Sequence, residues 1–194
     1  MSSTTFAPAV PNRPRTLVIG SALATSSVLM FFGCLFALYF ARRADAMDWG
    51  MEWFPEGAIR LPPGGMNMAT MALSAITMMW AVYSVSNNDR IHTYLAMVVT
   101  VAMGVAMLNQ TVFYFNDIDL PIDHSEATTF LFVIVGAHMA MVLLGVLWLS
   151  LLLLRALGGQ DTSRNRDLVS AAALYWYGAV VVYMVIWLGI YIAK

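Results

Sequence analysis

Between Thr16 and Ala41 the chain runs for 26 residues without a charged side chain, TLVIGSALATSSVLMFFGCLFALYFA, and then closes on Arg42 and Arg43. At a rise of about 1.5 Å per residue, a helix of that length outreaches the hydrocarbon core of a bilayer, about 30 Å thick, so it spans with some tilt. A backbone in hydrocarbon must satisfy its own N–H and C=O groups, and a helix does so within one segment. The event recurs four times. The predicted spans are 16–41, 66–86, 91–115, 127–154 and 168–193, with the charged residues held to the segments between them. The sequence therefore predicts an all-α fold, an integral membrane bundle of five transmembrane helices. Periodicity within the spans does not separate inner from outer faces, because nearly every position is apolar.

Composition agrees. With 60% hydrophobic and 11% charged residues and a mean hydropathy of +0.73, the chain has too little polar surface to coat a soluble core of this size. The net charge of −1 and the scattering of the ten Lys and Arg exclude nucleic acid as a partner. The one cysteine, Cys34, excludes an internal disulfide or a cysteine-based metal site, and within the first span it reads as a small apolar packing residue. Residues 1–15 are rich in Ser, Thr, Ala and Pro and are expected to form a cytoplasmic tail; the apolar run that follows is too long for a signal h-region. The run Leu61-Pro62-Pro63-Gly64-Gly65 reads as a breaker ahead of the second span, and Asn87-Asn88-Asp89-Arg90 as the turn of a tight antiparallel hairpin.

Orientation follows from the basic residues. With the N-terminus inside, Arg13, Arg15, Arg90, Arg155, Arg164 and Arg166 lie on that side, against Arg42, Arg43, Arg60 and Lys194 on the other. Eight of the acidic residues fall opposite the N-terminus: Asp45, Asp48, Glu52, Glu56, Asp117, Asp119, Asp123 and Glu126. The reading is N-terminus cytoplasmic and C-terminus outside.

No catalytic constellation emerges. The spans hold no Asp, Glu, Lys or Arg, and the one histidine deep within a span is His138; a proton relay needs titratable groups in series. Haem ligation by two histidines needs a second at similar depth, and His92 and His124 lie near span ends. Flanked by Gly136, Ala137 and Ala140, His138 reads first as a neutral packing residue at a close helix crossing, and second as a contact to lipid or a partner subunit. Asn109, Gln110 and Tyr114 read as interhelical hydrogen-bonding groups. The 15 methionines, among them Met66, Met68, Met71, Met78, Met79, Met139 and Met141, read as adaptable packing, with copper handling the lesser alternative. The acidic stretch 116–126 reads as a solvated loop before it reads as a docking surface.

In order and spacing, several motifs resemble those of cytochrome c oxidase subunit III in its short, five-helix bacterial form. Asn12-Arg13-Pro14 precedes Ser26-Ser27-x-Leu29-Met30-Phe31-Phe32, with Phe36, Ala37, Tyr39 and Phe40 after it. Leu108-x-Gln110 with Tyr114 is similar to the family's Leu-Gly-Gln-x-Tyr-Glu-Tyr; Gly136-Ala137-His138 sits where the family has Gly-Phe-His, and Tyr175-Trp176 where it has Tyr-Trp. The resemblance covers Asn12 to Lys194 and makes 16–194 one subunit III-like domain. It implies a non-catalytic membrane subunit that packs against the haem–copper subunit I, beside subunit II, as a V-shaped bundle with lipid in the cleft. No cofactor is expected in this chain itself; haem and copper belong to the partner subunits, and phospholipid is the expected ligand. Ser26, Ser27, Asn109, Gln110, Tyr114, His138, Tyr175 and Trp176 become the candidate interhelical, lipid or partner contacts.

The sequence departs from that pattern in one direction. Where the family has ionisable side chains, this chain has Val28, Phe113, Met141, Tyr177 and Val180. The resemblance thus implies a member that keeps the structural role and has lost the proton-linked or headgroup role of those positions. The alternatives are an accessory protein of a nitric oxide reductase or related complex, and a membrane scaffold or assembly factor. The expected location is the bacterial inner membrane.

Overall fold

The computed structural model describes residues 15–55, 57–118, 121–158 and 166–193. It has five long helices: α1 (Thr16–Asp48), α2 (Leu61–Ser86), α3 (Arg90–Asp117), α4 (Glu126–Leu157) and α5 (Arg166–Ile186). The last continues as a π-helix over Trp187–Ile192 rather than as one uniform span to 193. All five are long and apolar enough to cross a membrane, and among the described residues there is no strand. The expected tail, but for Arg15, falls outside the described residues, as do the Asn12-Arg13-Pro14 motif and the charges of Glu56, Asp119, Arg164 and Lys194.

The helices are longer than the apolar runs, for reasons local to each end. α1 continues past Ala41 through Arg42, Arg43, Asp45 and Asp48, because charged side chains that have left the hydrocarbon cost a helix nothing. It ends where Gly50 turns the chain back at φ +69°. α2 begins at Leu61, so the proline pair lies in its first turn, where no intrahelical N–H partner is needed and the fixed φ suits the helix. The expected breaker is thus a helix start. Asn88, at φ +56°, makes the α2–α3 turn, and Asp89 caps α3 by accepting from the His92 N–H at 3.2 Å. Ser125 caps α4 in the same way, accepting from the Thr128 N–H at 3.2 Å, with Glu126 in the first turn and Arg155 in the last.

In the bundle, α2 packs on α3, α3 on α4, α4 on α5 and α5 on α2, closing a four-helix ring. α1 lies outside the ring against α5 and, less extensively, α4. The V implied by the resemblance, with two helices set apart, is not the arrangement of these five. Small residues on α5 and its π-helical continuation draw α1 in: a Cβ on Gly178 would stand 2.5 Å from Thr25 Cγ2, and one on Gly189 3.0 Å from Phe40 Cζ. α5 is the most buried helix and α1 the least.

The inner faces follow three- and four-residue steps. On α2 the buried positions are Gly64, Asn67, Met71, Ser74, Met78, Ala81 and Ser84; on α3 the row Thr93, Met97, Thr100, Gly104, Met107, Thr111 and Tyr114 is buried. Small and polar residues alternate with methionine, which is how helices approach closely where lipid tails give no hydrophobic bias between faces.

Candidate functional site

The ring closes on Trp176. Its side chain is fully buried, and its indole Nε1 donates to Ser74 Oγ at 3.0 Å, joining α5 to α2. Glycines on the two remaining helices make room for the ring: a Cβ on Gly104 would lie 2.7 Å from Trp176 Cη2, and one on Gly145 2.9 Å from Cε3. The Ser74 hydroxyl in turn donates to the Met71 carbonyl at 2.7 Å, so the buried donor set is closed. Its neighbour in the chain, Tyr175, donates to the Met141 carbonyl of α4 at 3.0 Å.

His138 lies fully buried on α4, with Nε2 2.9 Å from the Ala179 carbonyl of α5. A carbonyl only accepts, so Nε2 carries the proton and the ring is a neutral, interhelical strut. Phe32 and Tyr183 enclose it, with ring centroids at 6.5 and 5.2 Å. The close crossing, however, is not at Gly136, where a Cβ would meet nothing within 4 Å; it is at Gly145 and Gly178. Toward the α2 N-terminus the interior stays polar and neutral: Asn67 Nδ2 donates to Thr111 Oγ1 at 3.1 Å, and Tyr183 to the Gly64 carbonyl at 3.2 Å.

The other expected contacts divide. Tyr114 is buried and donates, at a long 3.5 Å, to the Ala58 carbonyl of the α1–α2 loop. Ser26 and Ser27 are exposed on the outside of α1, and Ser27 donates back to Leu23 O of its own helix at 2.9 Å. The α1 polar groups that reach inward are Ser21, which donates to the Ala171 carbonyl at 2.6 Å, and Thr25. Asn109 is exposed and Gln110 half-buried, and among the described residues neither makes a side-chain hydrogen bond to another helix. They sit beside the buried row of α3, whose polar contact there is made by Thr111 instead. Cys34 is exposed on α1 rather than packed inside.

The five positions without ionisable side chains do not converge. Met141 is buried, Val28, Tyr177 and Val180 are half-buried against the core, and Phe113 points outward from α3 at 71% exposure. Met71, Met78 and Met141 are core residues while Met66 and Met79 face outward, so the methionines divide between packing and surface. Among the described residues no three His, Cys, Asp or Glu gather as a metal site would require. In the acidic stretch, Asp117 pairs with Arg60 of the α1–α2 loop at 2.7 Å, an exposed bridge worth about 0–1 kcal/mol.

A second polar locality lies where α1 meets its following loop. Arg43 Nε and Trp53 Nε1 are buried there without hydrogen-bond partners, beside an open pocket of about 610 Å³. Nothing in the sequence pairs Trp53 with Arg43; the pairing depends on the loop folding back, which Gly50 and Gly57 permit at φ +69° and +78°.

Fold and site together define an integral membrane helical bundle whose interior is held by neutral interhelical hydrogen bonds. The family model for cytochrome c oxidase subunit III matches residues 9–194, and the chain belongs to that family. Similar proteins include cytochrome c oxidase subunit 3 of Myxine glutinosa, 32% identical over 170 residues, covering 86% of this chain and 65% of the relative. That of Pelomedusa subrufa is 30% identical over 188 residues, 95% of this chain and 71% of the relative; that of Sus scrofa is 32% identical over 171 residues, with 86% and 65% covered. The chain thus spans about 65% of the length of several of its curated relatives.

Proposed function

We propose that this chain is a non-catalytic membrane subunit of a haem–copper terminal oxidase, which packs against the catalytic subunit I, stabilises it and holds phospholipid. The observation that carries the reading is the chemistry of the interior of a family member. Its buried polar side chains are neutral hydrogen-bonding groups: His138 is held on Ala179 O, Trp176 on Ser74, and Tyr175 on Met141 O. Such contacts hold helices in register and carry no charge across the membrane. Haem and copper then reside in the partner subunits, and electron transfer and oxygen chemistry are theirs. The outward faces of α1 and α4, with Leu23, Met30, Phe31, Leu144 and Leu151 exposed, are available to lipid and to a partner's helices. The N-terminus is placed in the cytoplasm of a bacterial cell and the C-terminus outside, on the six-to-four bias of Lys and Arg.

The test is capture of the tagged, full chain from membranes in mild detergent, followed by reduced-minus-oxidised spectra and mass spectrometry of the complex. Stoichiometric recovery of a haem protein that consumes oxygen supports the reading. A captured complex without haem absorbance overturns it in favour of a scaffold, and a haem partner that reduces nitric oxide moves the chain to that reductase.

A further inference from the structure

Among the described residues, the only exposed side-chain amide within a predicted span is that of Asn109, on α3. It stands six residues inside the end of the apolar run at Phe115, about 9 Å into the hydrocarbon at about 1.5 Å per residue. An exposed serine can bond back to its own helix, as Ser27 does to Leu23 O at 2.9 Å. Among the described residues neither Asn109 nor the half-buried Gln110 beside it has any side-chain partner, on its own helix or on another. Lipid tails offer no donor and no acceptor, so an amide directed at them is costly. The outward face of α4 shows what lipid alone asks for: Leu143, Leu144, Leu147, Leu151 and Leu154 are exposed there.

Asn109 belongs to a pattern. Ile91, Val98, Val105 and Val112 recur every seven residues on α3, and all four are exposed. Leu95, Ala102, Asn109 and Asn116 form a second exposed series of the same period. The two interleave at steps of four and three into one stripe, a heptad seam with β-branched side chains at its first position. The stripe lies on the side of α3 opposite the buried row that runs from Thr93 to Tyr114, so α2 and α4, which pack on the inner side, leave it uncovered.

Geometry narrows the occupant. Two copies of one membrane chain insert with the same orientation, so a two-fold axis between them runs along the bilayer normal, and each residue of a seam beside that axis meets its own copy at equal depth. An amide suits that constraint, because it carries both a donor and an acceptor: each Asn109 N–H can donate to the carbonyl oxygen of the other. A charged residue would meet its like, and the stripe has none. β-Branched residues at the first heptad position suit a two-stranded pairing, and Ala102 allows close approach one turn and a half from the amides.

We propose that α3 pairs with α3 of a second copy of this chain along the stripe from Ile91 to Asn116, with the two Asn109 amides hydrogen-bonded to each other. The faces of α1 and α4 stay free for the partner already proposed, so the pairing joins two complexes and displaces nothing.

The experiment is cysteine cross-linking of the full chain in its native membranes, in a Cys34→Ser background, with copper phenanthroline as oxidant. Ala102→Cys, on the stripe, should give a disulfide-linked dimer of the chain, and Leu147→Cys, on α4, less than a tenth as much. In native mass spectrometry of the purified complex, Asn109→Leu, which keeps the stripe apolar and removes the amide, should raise the dissociation constant of the pair about tenfold, and Asn109→Gln should recover most of the loss. Since Asn109 bonds to nothing in its own chain, the thermal midpoint of the single copy should not move, which separates lost pairing from lost folding. Equal yields from Ala102→Cys and Leu147→Cys, or no dimer from Ala102→Cys, overturn the pairing. An adduct with another protein in place of the dimer overturns the second copy as occupant, and a pair indifferent to Asn109→Leu overturns the role of the amides.

Discussion

The ring around Trp176 and the pocket beside Arg43 both use an indole N–H, and they use it differently. In the ring, Trp176 Nε1 reaches Ser74, and the cavity its side chain needs is supplied by Gly104 and Gly145. In the loop, Trp53 Nε1 is equally buried and lies against the buried Tyr39 hydroxyl without closing a well-formed hydrogen bond, and the space beside it stays open. A satisfied donor in a filled space is a packing device; a donor without a well-formed bond, beside an open space, holds its surroundings less firmly. Burial alone does not distinguish the two, and hydrogen-bond accounting does.

That contrast breaks first at Trp176. Trp176→Ala empties the ring and should cost about 3–5 kcal/mol, read as a large fall in the thermal midpoint of the purified complex. Trp53→Ala, at a half-buried residue, should cost clearly less; equal losses would erase the distinction. Next in size is Val28→Glu, which puts a carboxylate against the core with no charge to meet it, at about 2.5–3.5 kcal/mol on the insertion scale. Reduced insertion, or tolerance without any gain in protons pumped per electron in reconstituted vesicles, is expected; a gain would show that the position still serves proton transfer. Gly104→Ala drives a methyl toward Val146 Cγ2 and Trp176 Cη2, and should cost about 1–3 kcal/mol, whereas Gly136→Ala should be silent.

Smaller effects sharpen the comparison. His138→Ala removes the strut to Ala179 O, worth roughly 0.6–1.7 kcal/mol as a hydrogen bond within a membrane, plus what its packing contributes. Asn109→Ala should change the midpoint by less than about 0.5 kcal/mol, since its side chain is exposed and reaches no other helix. The smallest effect is at the α2–α3 turn. The backbone N–H of His92 holds the Asp89 carboxyl below its ordinary pKa, with the His92 ring adding to it. Because the folded value is the lower one, the cap contributes fully above the ordinary aspartate value of about 3.9, and its contribution is lost as pH falls below that through the folded value. Asp89→Asn, which keeps an acceptor without the proton, should therefore flatten the fall in stability between about pH 5 and pH 2; an unchanged slope would remove the cap as its cause.

The five spans were legible because the bilayer reads length and charge, and both stand openly in the sequence. Helix ends were less so: the apolar runs mark the hydrocarbon, whereas Arg42 to Asp48 and Leu61 to Gly65 are helix beyond it. Inner faces were hidden from hydropathy for a related reason, since lipid and protein interior are both apolar. They were nonetheless written in another alphabet. Asn67, Ser74 and Ala81, or Thr93, Thr100, Gly104 and Thr111, recur at steps of four and seven on the buried side. Reading small and polar residues would have chosen Ser21 and Thr25 over Ser26 and Ser27, and Thr111 over Asn109 and Gln110. His138, Tyr175 and Trp176 were found through family motifs, but their partners on α2, α4 and α5 depend on the packing of helices far apart in the chain.

The helix that α1 leans on is made after α2, α3 and α4. α2 and α3 form a hairpin as soon as both have left the ribosome, but α1 must wait for α5 and its π-helical continuation, whose Gly178 and Gly189 receive Thr25 and Phe40. During synthesis, then, α1 enters the lipid before its α5 partner, its Ser21 hydroxyl without the Ala171 carbonyl that will accept from it. A ribosome stalled before α5 emerges should leave α1 free to cross-link with bystanders, and emergence of α5 should end that exposure in one step.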